Sequence, residues 1–340
     1  MNDIVYFLKQ IHSYAGRMLY VNLLAMTFIG LLEGIGLLLL ILMLSVAGFI
    51  DTNAGGSSFT AVIQFLKGMP DSIQLPFVLC IYAAIVIGQN MLQRQITIQN
   101  AVIQNGFLLY LRMETYEALL HSDWSFFVRK RKSDLINLVL TEVTRTSGAT
   151  NAFLQFLASF IFTFIQIVLA FWMSPVITAF VLLSGSTIVF LNRKFLKKSL
   201  ALGNRNVELG KSFLAGLTDQ INGIKDIKSN TLEQSRMSWF AAITQKMHVE
   251  QVEYTRLKTT SQFYYKAASA ILTALFIFIA VKLFHAQPAQ LMLIILIFAR
   301  LWPKVAGIQA SLEQLATMVP SFKAVKALQY ECRKAKEYEA

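Results

Sequence analysis

Two ionisable residues stand where ionisable residues are expensive. Glu33 and Arg300 lie inside long apolar stretches, and a charge near a bilayer centre costs about 2.5 to 3.5 kcal/mol even on the mildest insertion scale. At about 1.5 Å per helical residue, Glu33 is roughly 22 Å from Met18 and Arg300 roughly 18 Å from Pro288, so both fall near mid-membrane. Such a pair either faces a polar cavity, where it touches or gates a cargo, or is a buried structural ion pair; the residue types fit both. Gln89, Asn90 and Gln93, followed by Arg94, sit on one apolar stretch, and Gln155 and Gln166 on another. Amides at these places line a wet cavity or hydrogen-bond one helix to the next, and the grouping of the first three favours the cavity.

Other chemistry finds no support. No His, Cys, Asp or Glu grouping has metal-ligand spacing, and no nucleophile is accompanied by a base. Gly210-Lys211-Ser212 has the ending of a phosphate-binding loop, but the first glycine of that loop would stand at Arg205 and no strand pattern precedes it. Cys80 lies in an apolar stretch and Cys332 in the polar tail, so they form no disulfide framework or redox motif. The chain is 55% hydrophobic and 15% charged, against roughly a quarter charged for a soluble domain. That composition, with a mean hydropathy of +0.53, is that of an integral membrane protein. The net charge of +12 is spread between apolar stretches rather than over one face, which excludes a nucleic-acid-binding reading.

Six stretches have about the length that a bilayer crossing needs: residues 20–46, 75–92, 153–173, 176–191, 268–283 and 291–305. The predicted class is therefore all-α, with six long transmembrane helices. Ser174 and Pro175 leave room only for a tight hairpin between the third and fourth. Pro76, Pro175 and Pro288 each open a stretch on the same side, where a missing N–H costs least. The other side holds Arg129 to Lys132, Arg193, Lys194, Lys197, Lys198, Lys225 and Lys228. By the positive-inside rule that side, with both termini, is cytosolic. Residues 1–17 place Ile4, Phe7, Leu8, Ile11 and Ala15 on one helical side, the pattern of an amphipathic helix lying on the membrane surface.

The helices overshoot the bilayer. From Pro76 to about His121 there is no proline, so one helix runs about 70 Å against a hydrocarbon core of about 30 Å. The stretch 192–256 repeats the pattern, and Phe213, Leu217, Ile221, Ile224 and Ile227 return at helical spacing, the mark of packed structure.

This arrangement resembles the transmembrane domain of ABC exporters of the six-helix, domain-swapped type. In that family the two cytosolic projections end in short coupling helices that press into the nucleotide-binding domains. Leu119-Leu-His-Ser-Asp-Trp-Ser-Phe-Phe, then Ser133-Asp-Leu-Ile and Leu140-Thr-Glu-Val143, resembles the first coupling region. Leu217-Thr-Asp-Gln-Ile-Asn-Gly-Ile-Lys-Asp-Ile-Lys-Ser229 resembles the second. Leu31-Leu-Glu-Gly-Ile-Gly36 is similar to the start of the first span and Arg300-Leu-Trp-Pro303 to the middle of the sixth. Ser133-Asp134 stands where the family often has Gly-Asp or Gly-Glu, and Asn230 where an aromatic is common.

The resemblance implies an elbow helix at 1–17, a transmembrane domain at 18–328 with coupling regions at about 119–134 and 217–230, and a linker start at 329–340 toward a nucleotide-binding domain. It implies an ATP-driven exporter working by alternating access, with cargo contacts from Glu33, Gln89, Asn90, Gln93, Gln155, Gln166 and Arg300. Contacts to the nucleotide-binding domain would come from Asp123, Trp124, Ser125, Phe126, Phe127, Ile221, Gly223, Ile224, Ile227 and Lys228. This chain would bind no cofactor; ATP and Mg would belong to the nucleotide-binding domain, either cut from this chain or encoded separately, and the assembly would be a transport ATPase. Its other partners would be a second copy or a homologous subunit and membrane lipids, in a bacterial inner or plasma membrane. The cargo class stays open, with an amphipathic, lipid or peptide cargo slightly favoured. The rival is an ATP-independent secondary transporter or channel, whose usual internal repeat the sequence does not display. The run Arg129 to Lys132 attracts anionic headgroups, meets an acidic partner surface, or is a solvated tip.

Overall fold

The computed structural model describes residues 2–46, 71–173, 193–282 and 288–336. The expected fourth span at 176–191, its hairpin at Ser174 and Pro175, and the outer segment after the first span lie outside the described residues. What is described is helical. The helices α1 (Asn2–Val46), α2 (Asp71–Leu120), α5 (Val143–Met173), α6 (Arg193–Asn222), α8 (Glu233–Lys282) and α9 (Pro288–Lys334) carry the length. The short helices α3 (Trp124–Arg129), α4 (Lys132–Asn137) and α7 (Ile224–Ser229) sit at the turns between them.

Among the described residues, four stretches are long and apolar enough to cross a membrane: Tyr6–Glu33, Pro76–Leu120, Lys132–Val168 and Glu233–Ile279. The expected sixth span falls in α9. At about 1.5 Å per residue, the 50 residues of α2 and the 50 of α8 each reach about 75 Å. Pro288 opens α9 as expected, whereas α2 starts before Pro76 and carries it inside the helix.

The core is built around α5 and α9, which pack on each other, with α1 and α2 against one side and α6 and α8 against the other. Its largest cluster sets Phe7, Ile11 and Ala15 of α1 against Phe107 and Leu111 of α2 and Phe322 and Val325 of α9. The apolar side of the amino-terminal helix thus faces protein: Phe7 and Ile11 are fully buried. The expectation of a lipid-facing surface helix is corrected for that side, because the hydrophobic pattern specifies an apolar neighbour and not which one. Gly16 separates this segment from the first span, with φ 37° and ψ −114°, a conformation in which a Cβ is strained.

Between α4 and α5 the chain makes one π-helical turn, Leu138–Glu142, a local widening of the helix. Glu142 in that turn is fully buried and accepts a hydrogen bond from Asn137 Nδ2 at 3.4 Å. Gly203 of α6 lies so close to the Thr317 carbonyl and Pro320 of α9 that a Cβ there would collide with both. Gly210-Lys211-Ser212 lies in the interior of α6, so there is no phosphate-binding loop at that place.

Candidate functional site

Two places stand out, one around Glu33 and one at the tips formed by the short helices α3 and α7. At the first, Lys304 Nζ lies 3.4 Å from Glu33 Oε2 and 4.4 Å from the ring centroid of Phe162. The side chain of Arg300 lies outside the described residues, so the expected Glu33–Arg300 contact is neither present nor absent here. The backbone sets Arg300 one turn before Lys304 on α9. Lys304 was missed by sequence reading because it ends an apolar stretch, where a lysine is normally an interfacial anchor. The signal that would have found it is its i,i+4 spacing from Arg300.

Close packing fixes the level. A Cβ on Gly30 would press on Ile165 and Phe162, and one on Gly307 would touch Ser159 Oγ at 3.0 Å, so α1, α5 and α9 meet at one depth. Gly36 of α1 faces Gln89 of α2, whose Nε2 is buried without a hydrogen-bond partner. Gln166, one turn after Phe162, is 6% exposed and its Nε2 likewise has no partner.

The remaining expected amides do not join this group. Asn90 is exposed and bonds back to the Val86 carbonyl at 2.8 Å, and Gln93 and Gln155 are exposed. The amide pair that ties helices together is one the sequence did not single out, Asn22 of α1 donating to Asn100 of α2, both buried.

At the first tip, Asp123 caps α3: its Oδ1 accepts from the Phe126 amide and its Oδ2 from Ser125 Oγ, each at 2.8 Å. The two carboxylate oxygens are thereby engaged in shaping the turn. The apolar residues of the tip divide. Phe126 is 4% exposed and packs with Leu119, Leu135, Leu138, Leu328 and Cys332, with Phe127 partly buried beside it, while Trp124 is 78% exposed and Val128 stands out with it. The expectation that Trp124, Phe126 and Phe127 share one outward role is therefore refined by which side of the six-residue helix each occupies.

This tip is fastened to the end of α9. The Asp123 amide donates to the Ala335 carbonyl at 2.8 Å, and Lys130 Nζ meets Glu331 Oε2 at 2.6 Å. Cys332 is buried against the tip rather than free in a polar tail, and burial pushes its thiol pKa up. A second fastening ties α2 to α9 and α1, where Glu114 of α2 accepts from Arg333 at 2.6 Å and Gln329 at 3.4 Å, both of α9, and from Gln10 of α1 at 3.2 Å.

The second tip turns at Gly223 and carries α7, with Thr231 at φ 53° leading into α8. Ile221 and Ile224 are exposed and Ile227 is buried. Lys228 pairs with Glu233 at 3.0 Å, bracing the tip against the start of α8.

Between Lys304 and the end of α9, Glu313 is 5% exposed and accepts from Ser261 Oγ of α8 at 2.6 Å and Gln309 Nε2 at 2.8 Å. Burial raises its pKa above the ordinary 4.5, and the two hydrogen bonds and the Lys258 charge only partly oppose this. An open cleft of about 390 Å³ between α6 and α8 is lined by Arg205, Glu208, Ser212 and Glu250. Arg205 is already paired there with Glu250 and Glu253, so the cleft is a braced helix contact.

Among the described residues no group of His, Cys, Asp and Glu could hold a metal ion. No curated protein matches the chain. Residues 23–301 match the family model of the ABC transporter transmembrane region. That span takes in Glu33, Phe162, Arg300 and both tips, though not Lys304, and it supports the resemblance to an ABC exporter transmembrane domain. The match covers most of the sequence, and the chain belongs to the ABC transporter transmembrane region family.

Proposed function

We propose that the chain is the membrane-spanning part of an ATP-driven exporter, six helices with both termini in the cytosol, working as a dimer with itself or a homologous subunit. Nucleotide-binding domains carrying ATP and Mg dock on the two tips, and their closure switches a cavity between the subunits from inward- to outward-facing. The observation that carries this reading is the pair of short helices, α3 and α7, held far below the membrane with Trp124, Val128, Ile221 and Ile224 exposed. Apolar side chains grouped on a rigid tip fit a partner surface. The fastening of α3 to the end of α9 supplies a physical connection from that surface to the helix that carries Lys304.

The rival, an ATP-independent transporter or channel, leaves the extensions and their exposed tips without a purpose. A single cysteine at Gln93, with Cys80 and Cys332 replaced, tests the reading in the chain assembled with its nucleotide-binding domain. Reactivity is expected toward a cytosolic reagent without nucleotide and toward an external reagent when ATP is trapped. Labelling that ignores nucleotide would favour the rival.

A further inference from the structure

Several cations of the helical extensions are braced by carboxylates: Lys130 by Glu331, Arg205 by Glu250 and Glu253, Lys228 by Glu233 and Arg333 by Glu114. Four lysines at another level are not. Lys194, Lys197 and Lys198 of α6 and Lys266 of α8 are exposed, and the sequence supplies no counter-charge beside them, since residues 193–207 and 254–282 contain no Asp or Glu. The two groups share a level, because the ring of Phe195 on α6 meets that of Tyr264 on α8 with 6.1 Å between centroids. That level is a membrane surface. The expected fourth span ends at 191 and the fifth begins at 268, which leaves all four lysines within about two helical turns of the hydrocarbon. The same segments expose Leu196, Phe263 and Tyr264, and aromatics beside cations are the composition of an interfacial belt. Topology asks only for positive charge on this side. It does not ask that the charges gather on two touching helices, among exposed apolar side chains and without counter-ions. A cluster of four or more basic residues next to a span attracts anionic headgroups, each residue worth about fivefold near the surface.

We propose that Lys194, Lys197, Lys198 and Lys266, together with the Phe195–Tyr264 contact, form a docking surface for the headgroup of an anionic phospholipid. The headgroup phosphate supplies the counter-charge that the protein lacks there, and the acyl chains run along the exposed apolar side chains toward the spans. A lipid so held ties α6 to α8 where the two helices leave the membrane. This rests on the membrane placement in the exporter reading and adds a lipid partner to it.

The test uses the chain assembled with its nucleotide-binding domain, carrying Phe263→p-benzoylphenylalanine, in nanodiscs of equimolar phosphatidylglycerol and phosphatidylcholine with matched acyl chains. After irradiation, mass spectrometry reads which lipid is crosslinked at that position. Phosphatidylglycerol is expected in at least fivefold excess, the effect of one lysine within reach, and inorganic phosphate at millimolar concentration should not reduce it. Changing all four lysines to Gln should bring the ratio to within twofold of even, while changing all four to Arg keeps the excess. Equal crosslinking of the two lipids overturns the anionic assignment, and so does an excess that survives in the folded Gln variant. Loss of the excess to inorganic phosphate overturns the lipid as the source of the phosphate. Absence of any crosslinked lipid shows the face to be covered by protein and overturns the docking surface. The comparison of lipids is made with the lysines in place, so a misfolded variant does not decide the outcome. Nucleotide-dependent labelling at Gln93 is read separately, and the lipid surface can fail while the exporter reading stands.

Discussion

Trp124→Ala and Phe126→Ala, two residues apart on α3, should have opposite consequences. Trp124 is 78% exposed, so of the roughly 250 Å² that a large aromatic presents, about 190 Å² is free for a partner to cover. At about 25 cal/mol per Å² that is at most about 5 kcal/mol of docking, and the costs of association reduce it to about 2 to 4 kcal/mol. The loss expected for Trp124→Ala is therefore at least thirtyfold in affinity for the nucleotide-binding domain, about 2 kcal/mol at tenfold per 1.4 kcal/mol. Its effect on the stability of the chain itself should stay within about 0.5 kcal/mol, as for surface positions generally. Phe126 is 4% exposed among Leu119, Leu135, Leu138 and Leu328, and its truncation should cost about 3 to 5 kcal/mol of stability. Thermal unfolding of each variant, with titration of the nucleotide-binding domain against the same preparations, separates the two effects. The reasoning is refuted if Trp124→Ala lowers the melting temperature as much as Phe126→Ala does, or leaves the affinity unchanged.

Gly203→Ala forces a Cβ against the Thr317 carbonyl and Pro320, and should destabilise by about 1 to 3 kcal/mol. Gly210→Ala on the same helix meets only ordinary contacts at 3.7 Å and beyond, and is expected to be neutral or slightly stabilising in the same unfolding assay. Glu313 should make stability depend on pH. Its folded pKa is raised above 4.5 by burial, so the folded state holds the proton more tightly than the unfolded one, and the associated stability is present below about pH 4.5 and lost as pH rises through the folded value. Glu313→Gln should flatten that part of the melting-temperature profile; an unchanged slope would show that the carboxyl does not titrate with folding.

Much of the architecture is legible in the pattern of apolar stretches and breakers. The overshoot of α2 follows from a long run without proline, and the two tips from the polar breaks at His121-Ser122-Asp123 and Gly223. What the pattern does not resolve is partnership. Phe7 and Ile11 read equally as lipid-facing or protein-facing, because both surroundings are apolar, and only the approach of Phe107 and Phe322 decides. Trp124 and Phe126 look alike in sequence, yet a six-residue helix puts them on different sides. Ser261 and Glu313 are 52 positions apart and Gln10 and Glu114 104, separations at which no local spacing rule operates. The π-helical turn at Leu138–Glu142 has no composition signature in those residues. Glu33 was legible as an intramembrane charge, but its described partner Lys304 was not, since a lysine at the end of a span is ordinarily an anchor.

The central claim is that the tips are docking surfaces for an ATPase. Cysteines placed singly at Ser125 and Ser229, with Cys80 and Cys332 replaced, test it most directly when the chain is assembled with a nucleotide-binding domain carrying introduced surface cysteines. Both positions lie on the tips and are exposed, so a short crosslinker reaches any partner seated there. The account expects crosslinks from both positions, with yields that change when ATP is bound. Absence of any crosslink from either tip, in a complex shown to be assembled, would contradict it.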